Sequence, residues 1–250
     1  KDHGAVMVGN GEIYNYREIR ADTRLLGFPF KTQGDMEPAF ALSLQTGAEF
    51  VKELRGMFAL AIVESQPHRL TLVRDRFGIK PLYWTVLEGG GILFASEIKA
   101  LFASGLLKPE VDECAVSDYL SHGWIPTPRT FYKGIQALPA AHTMTVDAAG
   151  NIKFWNYWKP EPEPDIPRES EGIEALLIER LRESVQIHMR SDVPVGMLLS
   201  GGLDSGLLAA LAAEQTETPI NTFTVRFAEI QNDESPLACE VAKRYGANHQ

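Results

Sequence analysis

The sequence predicts two fold classes in succession: an α+β domain over residues 1–158, then the start of an α/β domain with a parallel sheet over 172–250. Three observations carry this. Paired apolar runs joined by short turn segments recur through the first stretch, with helices grouped between them. The stretch Lys159-Pro160-Glu161-Pro162-Glu163-Pro164-Asp165-Ile166-Pro167 then interrupts the chain. It sustains neither a helix nor a central strand, so 159–171 reads as an extended linker. Beyond it the order becomes strand, loop, helix, strand, helix, which implies parallel strands with helical crossovers.

The elements follow from local pattern. Ala5-Val6-Met7-Val8 reads as a buried strand. Taken alone, Asn10-Gly11 after it is a turn and Glu12 an acid at a helix start. Helices are expected over 15–26, 36–47, 49–54 and 114–120. The apolar runs 58–63 and 70–73 flank Pro67 and His68 and form a hairpin. Runs 82–87 and 92–95, parted by Gly89-Gly90-Gly91, form a second, and 144–146 with 152–154 a third. In the later part, Ile173, Leu176, Leu177, Leu181, Val185 and His188 share one helical stripe. A buried strand is expected over 195–199, a helix over 207–215, a strand over 220–227 and a helix over 236–245. Another strand falls due near Asn248.

Composition narrows the function classes. The chain has 250 residues, with 24 Lys and Arg against 33 Asp and Glu, a net charge of −9. A chain this long buries roughly three-quarters of its unfolded surface and needs no covalent staple. The 44% hydrophobic and 23% charged fractions exclude a disordered chain. The acidic balance argues against nonspecific nucleic-acid binding. No apolar run approaches the ~20 residues that span a bilayer, so no membrane partner is expected. Cys114 and Cys239 form no CxxC pair and fit a reducing cytoplasm. The 6 histidines lack ligand spacing, so they do not form a zinc site. Lys1 stands at the start instead of Met, directly before a strand, and the chain is expected to be an internal piece of a longer protein.

The most informative loop is Ser200-Gly201-Gly202-Leu203-Asp204-Ser205-Gly206, which follows an apolar strand and opens a helix. In open α/β sheets ligands bind at the carboxyl ends of strands. Adjacent glycines let backbone N–H groups approach a phosphate at a helix N-terminus. Ser200 and Ser205 add hydroxyls. Asp204 repels phosphate unless a hard cation such as Mg²⁺ lies between them. The loop has no Walker lysine. The bland alternative is a glycine turn capped by Ser205 or Asp204.

This loop resembles the SGGxDS motif of the PP-loop ATP pyrophosphatases, which cleave ATP to AMP and pyrophosphate. Gly206 departs from it, since Ser or Thr usually follows. In the first part NGEIYNYREIR, Gly34-Asp35-Met36-Glu37, LRGMFALAIVE, RDRFGIKPLYW, ASEIKAL and IPTPRTFYKGI occur in that order. Together with SGGLDSG they resemble the glutamine-hydrolysing asparagine synthetases over essentially the whole chain.

The resemblance implies an Ntn-type glutaminase with an α/β/β/α sandwich, here without its N-terminus, followed by a PP-loop synthetase domain. It implies an N-terminal Cys nucleophile, which Lys1 and Cys114 do not supply; Cys114 reads as structural. Asn10 and the Gly11 N–H match the oxyanion hole. Asn10, Gly11, Glu12 and Asp35 match the glutamine site, the two acids holding the α-amino group. The usual Ser-Asp-Thr-Glu is altered around Asp35. Leu199 and Val225 match residues flanking adenine, while Ser200, Gly201, Gly202 and Ser205 match the pyrophosphate cradle and Asp204 a Mg²⁺ ligand. Arg226 stands where Gly is usual and is expected to face solvent. The implied partners are glutamine, aspartate and ATP, with room for a homodimer. The implied reaction passes ammonia to a β-aspartyl-AMP and yields asparagine. Two alternatives stand open: a related ligase amidating another carboxylate, and a remnant without glutaminase activity. The charged runs Arg74-Asp75-Arg76 and Lys80-Pro81 are expected to build a turn between strands.

Overall fold

Alternation within Phe58-Ala59-Leu60-Ala61-Ile62 decides the layering of the first part of the molecule. In the computed structural model, residues 4–162, 169–226 and 233–250 are described. The chain divides into two compact units, Lys1–Glu161 and Pro162–Gln250. Residues 163–168 of the proline-rich stretch lie outside the described residues, as do 227–232.

The first unit runs β1 (Ala5–Ile13), α1 (Tyr16–Arg20), α2 (Met36–Thr46), β2 (Gly56–Ser65), β3 (His68–Arg74), β4 (Tyr83–Val86), β5 (Ile92–Ala95), α3 (Ile98–Ala103), α4 (Glu113–His122), β6 (Gln136–Ala137), β7 (His142–Asp147) and β8 (Ile152–Asn156). One antiparallel sheet has the order β1-β2-β3-β7-β8 and a second the order β5-β4-β6. Side chains alternate across a strand. Phe58, Leu60 and Ile62 therefore turn to one face, where Ala39, Leu42 and Phe50 close a core with α2. Ala59 and Ala61 turn to the other, where Leu72, Met144, Leu82 and Trp84 make a second core between the two sheets. The small alanines let the sheets approach. With α3 packed beside β5, the layers are those of an Ntn-type α/β/β/α fold.

The second unit runs α5 (Ser170–His188), β9 (Gly196–Leu198), α6 (Leu203–Ala213), β10 (Asn221–Phe223), α7 (Ser235–Arg244) and β11 (Asn248–His249). Its sheet has the order β11-β10-β9 and both pairings are parallel. Leu199, Ala209, Ala212, Ile220, Ala238 and Ala242 form its core. The strand due near Asn248 is β11.

Several local expectations change. β1 does not end at a turn at Asn10. It continues through Glu12 to Ile13, because all nine of its residues, Ala5 to Ile13, pair with β2 from Glu64 to Gly56. It is an edge strand, and Val6 and Val8 are 64% and 57% exposed, so it is not buried. The helix expected over 15–26 breaks into α1 and a 3₁₀ turn, Thr23–Leu25, since Asp22 caps that turn through Arg24 N at 2.8 Å. The 49–54 helix is a 3₁₀ segment, Gly47–Lys52. α3 and β6 were not anticipated. Around Leu199, β9 is not wholly buried: Leu198 is 80% exposed while Leu199 is 2% exposed. α6 starts at Leu203, which places Asp204 and Ser205 in its first turn rather than in the loop. On the stripe of α5, Val185 is buried, whereas Ile173 and Leu177 are exposed.

Candidate active site

In the first unit, β1 presents its even-numbered residues on the face opposite α2. Asn10 and Glu12 lie there, both exposed. Asn10 Nδ2 donates to Ser96 Oγ at 3.4 Å, from the turn just before α3. A cavity of about 180 Å³ adjoins this pair and is lined by Val8, Gly9, Asn10, Phe94, Ala95 and Ser96 among others. Gly11 is required by sterics. At φ +146°, a Cβ there would lie 2.0 Å from the Met57 carbonyl oxygen. Gly56 mirrors it across the pair, its Cβ position falling 2.1 Å from the Glu12 carbonyl oxygen. The two glycines let β1 and β2 cross closely where the Asn-Gly-Glu triplet sits.

Asp35 occupies the N-cap place of α2, yet its side chain caps nothing in that helix. Its Oδ2 instead accepts from Ile13 N at 2.7 Å. That bond brings the Asp35 carboxylate to the residue next to Glu12. An uncapped helix N-terminus forgoes about 1 kcal/mol, so the orientation of Asp35 toward β1 needs another reason. Asn15, within the NGEIYNYREIR segment, is structural: its amide donates to Glu53 O at 2.9 Å and accepts from Arg55 N at 2.8 Å. Tyr14 is buried, and burial first, then the nearby Glu12 and Asp75 charges, push its phenol up.

The charged run after β3 is a scaffold, in line with the turn reading. Asp75 is fully buried. Its carboxylate accepts from Phe58 N at 3.2 Å and from Phe77 N, Ile79 N and Lys80 N, each at 3.0 Å. Arg74 donates to the carbonyls of Lys80, Leu138 and Gly78, and Arg76 to those of Leu54 and Lys52. Cys114 is exposed at the start of α4. A packing role does not account for it.

In the second unit, the Ser200–Gly202 turn leaves the carboxyl end of β9 and leads into the first turn of α6, which carries Asp204 and Ser205. Ser205 Oγ is the centre of this segment. It accepts from Ser200 N at 3.1 Å, meets Ser200 Oγ at 2.9 Å and faces the Ser200 and Gly202 carbonyls at 3.2 and 3.3 Å. Gly202 N donates to Ser200 Oγ at 3.2 Å. The loop is thus preformed around its serines. Gly201 is fixed by a close approach: a Cβ would lie 3.0 Å from Leu237 Cβ and 3.1 Å from Glu234 Cβ. Thr224 Oγ1 donates to Leu199 O at 2.5 Å. This holds buried Leu199 and 69% exposed Val225 at the carboxyl end of the sheet. Asp204 is exposed. Among the described residues no group of three or more His, Cys, Asp or Glu is placed to hold a metal. One carboxylate still suits Mg²⁺, which is commonly held by one or two carboxylates together with substrate phosphates and waters. Arg226 is 75% exposed but is also paired, its Nε 3.3 Å from Asp233 Oδ2.

Sequence reading missed Ser96, Asp75 as a buried anchor, and the residues that hold Asp35. Each lay inside a quoted motif, Ser96 in ASEIKAL, Asp75 in RDRFGIKPLYW and Glu37 two residues after Asp35, but no residue pattern distinguished its role.

Residues 1–158 match the family described as glutamine amidotransferase domain, and residues 176–250 match the asparagine synthase family. Glutamine-hydrolyzing asparagine synthetase 1 of Bacillus subtilis (strain 168) is 35% identical over 240 residues, covering 96% of this chain and 37% of that protein. Glutamine-hydrolyzing asparagine synthetase 2 of the same organism is 37% identical over 266 residues, covering 100% and 34%. The amidase chyE of Penicillium rubens is 33% identical over 265 residues, covering 99% and 38%. The chain spans little more than a third of the length of these relatives. Among solved structures, the glutamine phosphoribosylpyrophosphate amidotransferase from B. subtilis aligns with a TM-score of 0.45 at 14% identity, covering 94% of this chain and 50% of that one. Among the described residues, no helix is long and apolar enough to cross a membrane. With a glutamine amidotransferase domain matched over 1–158 and asparagine synthase sequence after it, the chain belongs to the asparagine synthetase family.

Proposed function

We propose that the chain supplies the glutamine site and the nucleotide loop of a cytoplasmic enzyme that makes asparagine from aspartate, ATP and glutamine. The observation that supports this most is the bond from Ile13 N to Asp35, which sets a second carboxylate beside the Asn10-Gly11-Glu12 triplet. Glu12 and Asp35 suit the α-ammonium of an amino acid, a cation that calls for charge-assisted acceptors. Asn10 Nδ2 and Gly11 N suit the charge developing on the side-chain carbonyl oxygen, worth about 3 kcal/mol per donor in comparable sites. The attacking thiol belongs to an N-terminal cysteine, a place that neither Cys114 nor Cys239 holds.

On the nucleotide side, Ser200, Gly201, Gly202 and Ser205 hold the pyrophosphate of ATP, with Leu199 and Val225 flanking the adenine. Asp204 would hold Mg²⁺, which when bound neutralises phosphate charge. The aspartate β-carboxylate attacks the α-phosphorus, pyrophosphate leaves, and ammonia then displaces AMP from the β-aspartyl-AMP. A second reading, amidation of a different carboxylate, draws support from the likeness to the P. rubens amidase. A remnant without glutaminase activity is the third.

The test is made on the protein expressed from its complete gene, with ATP, glutamine and aspartate. The expected products are asparagine, glutamate, AMP and pyrophosphate in equal amounts. Pyrophosphate release that needs a carboxylate other than aspartate supports the second reading. Synthesis from ammonium but never from glutamine supports the third. ADP and phosphate in place of AMP and pyrophosphate would overturn the nucleotide assignment.

A further inference from the structure

Asp35 directly follows a loop that is held from two sides, by Glu37 and by Arg20. Glu37 Oε1 accepts from Lys31 N at 2.7 Å. Its Oε2 accepts from Thr32 N and from Thr32 Oγ1, both at 2.7 Å. Thr32 Oγ1 in turn accepts from Gly34 N at 3.3 Å. From the other side, Arg20 Nη2 donates to Gly34 O at 3.1 Å, while its guanidinium lies 4.4 Å from the Phe30 ring centroid. Residues 30–34 are thereby fixed at both peptide faces immediately before Asp35.

An acid in the first turn of a helix has an ordinary use, complementing the helix dipole. Glu37 does more. It reaches back five and six residues to satisfy two backbone donors and a hydroxyl outside α2. Burial pushes its carboxyl up, and the Lys31 and Thr32 hydrogen bonds more than offset this, so it lies below the usual carboxylate range. The Glu37 bridge therefore stays ionised at neutral pH.

The geometry points to Glu37 as a positioning residue for glutamine recognition: with Thr32 it fixes the loop that aims the Asp35 carboxylate past Ile13 N at the substrate amine. This rests on the glutamine role proposed above for Asp35. Both Glu37 oxygens are engaged by the loop.

The experiment measures glutamate release from glutamine by the protein expressed from its complete gene, comparing Asp35→Asn, Glu37→Gln and the double variant. A displaced binding group weakens binding of the part it serves, so Glu37→Gln is expected to raise the glutamine KM about tenfold with kcat within about twofold. Residues acting through one another are not additive, so adding Glu37→Gln to Asp35→Asn should raise KM by less than about twofold further. Thr32→Val, a milder change to the same bridge, should raise KM about threefold and serves if Glu37→Gln does not fold. A KM that stays at the unsubstituted value in both Glu37→Gln and Thr32→Val overturns the inference. So does a fall in kcat at constant KM, or full additivity with Asp35→Asn, each of which marks a merely structural acid. If Asp35→Asn itself leaves KM unchanged, or the unsubstituted protein releases no glutamate, the glutamine reading fails first and this inference falls with it.

Discussion

Asp35 sits where a helix cap belongs, yet its carboxylate accepts from Ile13 N instead of capping α2, and that mismatch is what favours the ligand role proposed for it. Asp75 is the opposite case: buried and saturated by backbone donors, it has no capacity left for a substrate. Sequence reading singled out Asn10, Gly11, Glu12 and Asp35 through the family resemblance, and their types suit the amine and oxyanion roles proposed for them. The contacts of Glu37 with Thr32 and of Ser96 with Asn10 depend on distance and direction, which spacing along a chain does not encode. Asp204 belongs to the same scale. It is an exposed acid in the first turn of α6, where the helix end alone would favour an acid. In the protein expressed from its complete gene, Asp204→Ala is expected to abolish pyrophosphate release from ATP while glutamate release persists, both read by coupled assays. ATP-dependent synthesis within about threefold of the unsubstituted protein, a barrier difference of only ~0.7 kcal/mol, would remove the metal role.

At the scale of the element, two local devices carry predictions. One is the β3–β4 connection wound around Asp75. Asp75→Asn replaces a carboxylate oxygen by an amide donor that faces backbone N–H groups, so it should destabilise the first unit by about 2–4 kcal/mol. Urea unfolding followed by circular dichroism reads this, and a loss below about 1 kcal/mol would mean the four bonds are not the anchor they look to be. The other device is the start of α6. Gly206 lies within this helix, and a Cβ there would meet Val241 methyls at 3.9 Å, ordinary contact. Gly206→Ala should therefore raise stability by about 0.5–1 kcal/mol from helix propensity alone. A thermal melt that moves downward would show that the glycine is kept for close packing after all. Periodicity located α2, α6, α7 and the three hairpins, since amphipathic spacing is a local property. It missed β6, which has 2 residues, and α3, which has 6, both too short to carry a period.

At the scale of the whole chain, each unit closes its own cores. The first has one core under α2 and another between its two sheets. Lys1–Glu161 expressed alone should accordingly melt in one cooperative transition with native far-UV ellipticity; a broad, non-cooperative trace would show that its cores are not self-sufficient. By itself the sequence determined the two fold classes in their order, the strand pairs, the helices of the second unit and the residue types of both candidate sites. Those follow from side-chain periodicity, turn chemistry and motif, all short-range along the chain. The continuation of β1 through Asn10, Gly11 and Glu12 was decided by its pairing with β2, some 50 residues on, because an Asn-Gly pair alone favours a turn and only pairing with Ala59 and Phe58 keeps it in the strand. The aim of Asp35 and the burial of Asp75 were likewise decided by the tertiary structure. Both depend on backbone N–H groups from distant segments, and where those donors point is fixed only when the sheets pack.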